Sequence, residues 1–201
     1  MNTIEFRADT HQYFDGGMEL PSVTDIVRFC DYDKVRKARS GNDPFYRNRG
    51  TRVHELCADY DFTGEMPQGT GLDGYLKAYA DFLRDYRVKE WLYVEIVVGS
   101  KELGYAGTID RVGIIGGKLF IPDIKTASVL SEVTLQGQLT GYREAFLDFC
   151  ERNSIELPYP HLAGLQLKRN GKYSFREVES DYRLWESCRY LHSKFWKGTK
   201  Q

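Results

Sequence analysis

The chain has 201 residues, of which 41% are hydrophobic and 28% charged, with a formal net charge of −1 from 28 basic and 29 acidic side chains. Those values suit one compact globular domain over 1–201 and exclude a polycation, a disordered acidic chain and, with no run of about 18 apolar residues, a membrane span. The amino-terminal residues Met1–Glu5 carry neither a basic region nor an apolar stretch, so no signal peptide is expected and a cytoplasmic location is.

In chain order, residues 3–20 read as a short hairpin turning at Asp15-Gly16-Gly17, and Ser22 as the cap of a short helix through about Cys30. Residues 31–45 are a polar loop. A helix is expected over 46–62, where Val53, Leu56, Cys57 and Tyr60 recur at helical spacing, then a Gly/Pro loop over 63–71. Leu72, Tyr75, Leu76, Tyr79, Phe82, Leu83 and Tyr86 mark a second long helix. Strands follow at about 91–99, 104–115 and 118–125, the last two joined by Gly116-Gly117, a two-residue hairpin turn. A helix over about 131–152, a hairpin over 160–178 turning at Asn170-Gly171, and a closing helix over about 180–197 complete the chain. The elements make a mixed α/β chain, with an N-terminal hairpin, helix and basic loop (about 1–50) leading into the core.

The stretch richest in chemistry is Gly107-Thr108-Ile109-Asp110-Arg111-Val112, paired through the glycine turn with Ile121-Pro122-Asp123-Ile124-Lys125-Thr126. Side chains alternate across a strand, so Asp123 and Lys125 share a face and Ile124 takes the other. Pairing about the turn brings Asp110 to the Asp123 end. Two carboxylates and an ammonium among apolar residues are costly to bury unpaired, and two close carboxylates repel. A divalent cation relieves both, and all-oxygen ligation suits Mg²⁺ or Mn²⁺. A solvated Asp–Lys pair on an edge strand is the simpler alternative.

Asp110 followed by Asp123-Ile124-Lys125 resembles the core of the PD-(D/E)xK nucleases. Four further segments are similar to the RecB-like exonuclease branch of that family, which includes phage-encoded exonucleases. These are Gly50-Thr51-Arg52-Val53-His54, Gln138-Leu139-Thr140-Gly141-Tyr142, His11-Gln12-Tyr13 and Pro21-Ser22-Val23-Thr24. The resemblance spans about residues 11–146 and implies a restriction-endonuclease-like core, a central mixed sheet flanked by helices, and a DNA exonuclease. It implies metal ligands at His54, Asp110, Asp123 and the Ile124 carbonyl. Lys125 orients the attacking water, and Gln138 and Tyr142, four apart on one helix face, donate to a phosphate oxygen. Thr126 supports Asp123 or meets phosphate. Glu95, an acid in the apolar strand Trp91–Ile96, either extends the metal shell or pairs with a nearby base. Arg111, next to Asp110, is expected to point to the other strand face and is set aside.

Between Arg28 and Arg52 stand eight bases against three acids, interleaved with Phe29, Tyr32, Phe45 and Tyr46. Directly ahead of His54, that segment reads as a DNA-entry surface, with Arg47, Arg49 and Arg52 nearest the site. Cys30, Cys57, Cys150 and Cys188 are scattered without a Cys-x-x-Cys pair, so no iron–sulfur cluster or zinc site is expected, and all four read as reduced core cysteines. The implied partners are single-stranded DNA or linear duplex ends and a recombination or replication protein. A structure-specific endonuclease of the same fold and a nuclease-dead DNA-binding module remain as alternatives.

Overall fold

The computed structural model describes residues 4–28, 44–128 and 130–195, with backbone alone for 44–48. Most of the expected polar loop, Cys30, the Arg47 side chain and the chain beyond Phe195 lie outside the described residues.

The chain opens with β1 (Glu5–Arg7), β2 (Gln12–Asp15) and β3 (Met18–Leu20), an antiparallel three-stranded sheet rather than the single hairpin expected. Only three residues long, β1 carries too little alternation to be read from sequence. Helix α1 (Val23–Val27) starts where Ser22 accepts from the Asp25 N–H at 2.9 Å and donates to Asp25 Oδ2 at 2.8 Å. That reciprocal arrangement satisfies an amide the helix itself leaves orphaned. Helices α2 (Pro44–Thr63) and α3 (Asp73–Asp85) follow.

The main sheet is built from β4 (Trp91–Ser100), β5 (Tyr105–Ile115), β6 (Lys118–Lys125), β7 (His161–Leu167) and β8 (Tyr173–Val178), in that spatial order. Pairing is antiparallel except between β6 and β7, which run parallel. Parallel neighbours need a long crossover, here supplied by α4 (Glu132–Arg152), capped by Ser131. Helix α5 (Tyr182–Phe195) closes the described chain. The turn between β5 and β6 places Gly116 and Gly117 at φ +58° and +81°, the mirror-image turn that matches strand twist and that glycine adopts without a Cβ clash. The architecture is α+β, a mixed sheet flanked by helices.

Two cores sandwich the sheet. On one side α1, α4 and α5 bury Val27, Leu139, Phe146 and Trp185 against Ile109, Leu119 and Ile121. On the other, α2 and α3 bury Val53, Leu56, Leu76, Tyr79 and Phe82 against Phe120, Ile124 and Leu165. Alternation along β6 thus sends Leu119 and Ile121 to one core and Phe120 and Ile124 to the other. Among the described residues no helix is long and apolar enough to cross a membrane. Cys57 and Cys150 are free and buried, as expected. Cys188 is disulfide-bonded, which corrects the expectation that all four cysteines are reduced: sequence spacing carries no information about distances closed by tertiary packing.

Candidate metal centre

The site forms where β5 and β6 part. Their ladder runs through Ile115↔Lys118, Ile114↔Leu119 and Gly113↔Phe120. Further along, the Asp110 carboxylate takes over: its Oδ2 accepts the Ile124 N–H at 2.6 Å. Asp110 is 8% and Asp123 3% exposed. The expected approach of Asp110 to the Asp123 segment is therefore made, through a side chain in place of a ladder carbonyl.

Helix α2 brings His54 to the same point. Its Nδ1 lies 3.3 Å from Asp110 Oδ1, and its Nε2 lies 2.9 Å from the Ile124 carbonyl oxygen. A carbonyl only accepts, so Nε2 carries a proton, and Nδ1 facing a carboxylate carries one as well. Burial works against that charge, but the Asp110 carboxylate, with help from Glu95, raises the His54 pKa to about 9. The imidazole is thus flanked by oxygens of Asp110 and Ile124.

Glu95 joins these groups. It falls between the Val94↔Arg111 and Ile96↔Ile109 pairs, opposite Asp110, and its φ is +50°. A left-handed backbone at a residue with a Cβ costs about 1–3 kcal/mol and persists where the surroundings enforce it. Ligand atoms of His54, Glu95 and Asp110 all lie within 4.8 Å of one another. Burial and the neighbouring Asp110 charge push the Glu95 pKa up to about 7.

Asp123 stands in a different relation. It is not part of that three-residue group; its Oδ2 lies 2.5 Å from Lys125 Nζ. The Lys125 ammonium thus satisfies this buried oxygen by a close charge-assisted contact. Burial and the Asp110 charge raise the Asp123 pKa against the pull of Lys125. Asp110 moves the other way, to about 2: burial disfavours its charge, but His54, Lys125 and the Ile124 N–H outweigh it. Burial disfavours the Lys125 charge too, yet Asp123 and Asp110 raise its pKa, so the ammonium persists at neutral pH. His54, Glu95 and Asp110 form a group that could hold a metal ion, with the Ile124 carbonyl beside it.

Behind these groups lies a buried network in which Glu95 pairs with a nearby base, one of its two expected roles, while Asp61 and Tyr79 were not expected. Arg111, fully buried, donates from Nε to Asp61 Oδ2 at 2.7 Å and Tyr79 OH at 3.2 Å, and from Nη1 to Glu95 Oε1 at 3.0 Å and the Asp110 carbonyl at 2.6 Å. Asp61 also accepts from Tyr79 OH at 2.8 Å and Trp91 Nε1 at 3.2 Å. Arg111 packs on Asp61 and Tyr79, yet its long guanidinium still reaches Glu95 and the Asp110 carbonyl, so a residue set aside in the sequence reading touches two members of the site. Two signals were present. An arginine inside an apolar strand demands a buried partner, and Asp61 follows His54 by seven residues, two turns along one helix face.

Gln138 and Tyr142 are buried on the sheet side of α4, Gln138 Nε2 donating to Tyr142 OH at 3.2 Å. The Tyr142 ring covers Gly107, where an added Cβ would come within 2.7 Å of it. Burial and the charges of Asp123 and Asp110 raise the phenol pKa, so Tyr142 stays a neutral donor beside the carboxylates. Thr126 offers its carbonyl to Arg49 Nη2 at 3.2 Å. Arg52 is exposed and pairs with Glu55 at 2.8 Å.

No family model and no curated protein matches the chain. Among solved structures, the crystal structure of SSO0001 is similar over 89% of this chain and 78% of that chain, with 14% identity and a TM-score of 0.40.

Proposed function

We propose that the protein is a Mg²⁺- or Mn²⁺-dependent deoxyribonuclease that hydrolyses phosphodiester bonds from DNA ends. The observation that carries the reading is the meeting of His54, Asp110, Glu95 and the Ile124 carbonyl beside an Asp123–Lys125 pair at the open end of two strands. The motif resemblance to RecB-like PD-(D/E)xK exonucleases supports it. His54, Asp110 and Glu95 would hold a divalent cation, which would supply a water of lowered pKa and offset charge on the reacting oxygens.

The chain's own groups do the positioning. Asp110 is locked on the Ile124 N–H, so its other oxygen, facing His54, keeps a fixed direction. Lys125 remains an ammonium and serves as donor and counter-charge to the phosphate rather than as a base. Tyr142 and Gln138 offer further donors from α4. Arg49 and Arg52, at the start of α2, are proposed to meet the DNA backbone. A DNA substrate implies a compartment holding DNA; the cytoplasm is proposed, the host's if the chain is phage-encoded, and a recombination or replication protein is proposed as partner.

The test compares end-labelled linear with covalently closed circular single-stranded DNA, with Mg²⁺, Mn²⁺ or EDTA. Metal-dependent shortening of the linear strand alone is expected. Cutting of the circle would replace the exonuclease with an endonuclease, and no cleavage of either would reject hydrolysis.

A further inference from the structure

We propose that Arg111 is a positioning residue of this centre: anchored on Asp61, it fixes where the Glu95 carboxylate stands. The proposal rests on the reading of Glu95 as a member of the metal-binding set.

Four observations carry it. Arg111 is fully buried, and its guanidinium spans both sides of the network, Asp61 at 2.7 Å through Nε and Glu95 at 3.0 Å through Nη1. The same Nη1 also holds the Asp110 carbonyl at 2.6 Å, which pins the fork beside the strand residue that Glu95 faces. Asp61 is itself immobilised by Tyr79 and Trp91, whose ring nitrogen donates to Tyr79 OH at 2.9 Å. Finally, Glu95 holds a left-handed backbone in the middle of a strand, a conformation that needs outside enforcement. The Arg111–Glu95 ion pair supplies it. A buried ion pair is a weak source of net stability. Stability alone therefore gives little reason for an arginine here, whereas a planar fork with fixed donor directions can hold one carboxylate while anchored on another.

Lysine at this position keeps the charge and loses the fork, so it cannot meet Asp61, Glu95 and the Asp110 carbonyl together. Mn²⁺ alone, without DNA, is titrated into wild type, Arg111→Lys, Glu95→Gln and the double variant, reading the dissociation constant by electron paramagnetic resonance of free Mn²⁺ and checking folding by thermal melting. Arg111→Lys is expected to weaken Mn²⁺ binding about 10–100-fold, the usual effect of removing a partner behind a metal ligand. In the Glu95→Gln background the same change is expected to add almost nothing, since it acts through Glu95. A folded Arg111→Lys protein with wild-type Mn²⁺ affinity, or a double variant showing the full product of both losses, would overturn the proposal. Should Arg111→Lys not fold, Tyr79→Phe removes one partner of Nε while keeping both ions. It is expected to weaken Mn²⁺ binding several-fold, and an unchanged affinity overturns the proposal equally. A wild type that binds no Mn²⁺ sinks the metal-centre reading and the proposal with it; a wild type that binds, with variants unchanged, sinks the proposal alone.

Discussion

His54 lies between the Asp110 carboxylate and the Ile124 carbonyl, a setting that raises its pKa from 6.5 to about 9 and favours the imidazolium at neutral pH. A group with a raised folded pKa contributes stability that is fully present below the unfolded value and lost as pH rises through the folded one. In EDTA, the melting temperature of the wild type is therefore expected to fall between pH 6.5 and 9, and His54→Gln should lack that component. Glu95, raised from 4.5 to about 7, adds a loss in a lower window, from pH 4.5 to 7. Identical melting profiles for wild type and His54→Gln above pH 7 would contradict the assigned imidazolium. Because a histidine ligates only as the neutral ring, Mn²⁺ affinity is expected to rise over the same range, with proton release measurable by calorimetry in buffers of different ionisation enthalpy.

The helix α4 shows how an element holds the site in place. Gly141 lies within Gln138–Tyr142, and a Cβ there would come within 2.6–2.9 Å of three Trp185 ring atoms. Replacing an interior helical glycine by alanine gains up to about 1 kcal/mol of propensity. Overpacking a rigid, fully buried indole costs about 1–3 kcal/mol. Gly141→Ala is accordingly expected to lower stability in urea denaturation; a rise would show that α5 yields freely. This packing was not visible in sequence, where Gly141 was only one of the unassigned positions between Gln138 and Tyr142. What was visible followed local rules: the Gly116-Gly117 turn, the Ser22 cap and the helical spacing of Val53, Leu56 and Tyr60 each express chemistry confined to a few neighbours. What was hidden depended on distant partners. Val94-Glu95-Ile96 reads as strand, and nothing local to it shows that Glu95 takes a left-handed backbone or which arginine its carboxylate meets. Arg111 and Asp61 are separated by 50 residues, and no spacing rule joins them.

At the scale of the whole molecule, two cores clamp a sheet whose middle strands part at one end, and that parting is where the polar groups gather. Strand alternation in β6 directs Ile121 into one core and Ile124 into the other, and so fixes where Asp123 and Lys125 emerge. Phe146, fully buried beside Leu119 and Ile121, is expected to cost about 3–5 kcal/mol when truncated to alanine. Phe62→Ser, at a side chain 73% exposed, should stay within about 0.5 kcal/mol by the same denaturation measurement. Comparable losses at both would mean that the α4 core does not carry the fold.

The central claim is hydrolysis at the Asp110, Asp123 and Lys125 end of the sheet. Its most direct test is to incubate end-labelled single-stranded and duplex DNA with the wild type and with Lys125→Ala, in Mg²⁺, in Mn²⁺ and in EDTA. The wild type should shorten at least one substrate with either metal and neither in EDTA, and a folded Lys125→Ala should lose about 10²–10³-fold in rate, the range for removing one fixed donor aimed at developing charge. Wild-type rates in a folded Lys125→Ala protein, or cleavage undiminished by EDTA, would contradict the account.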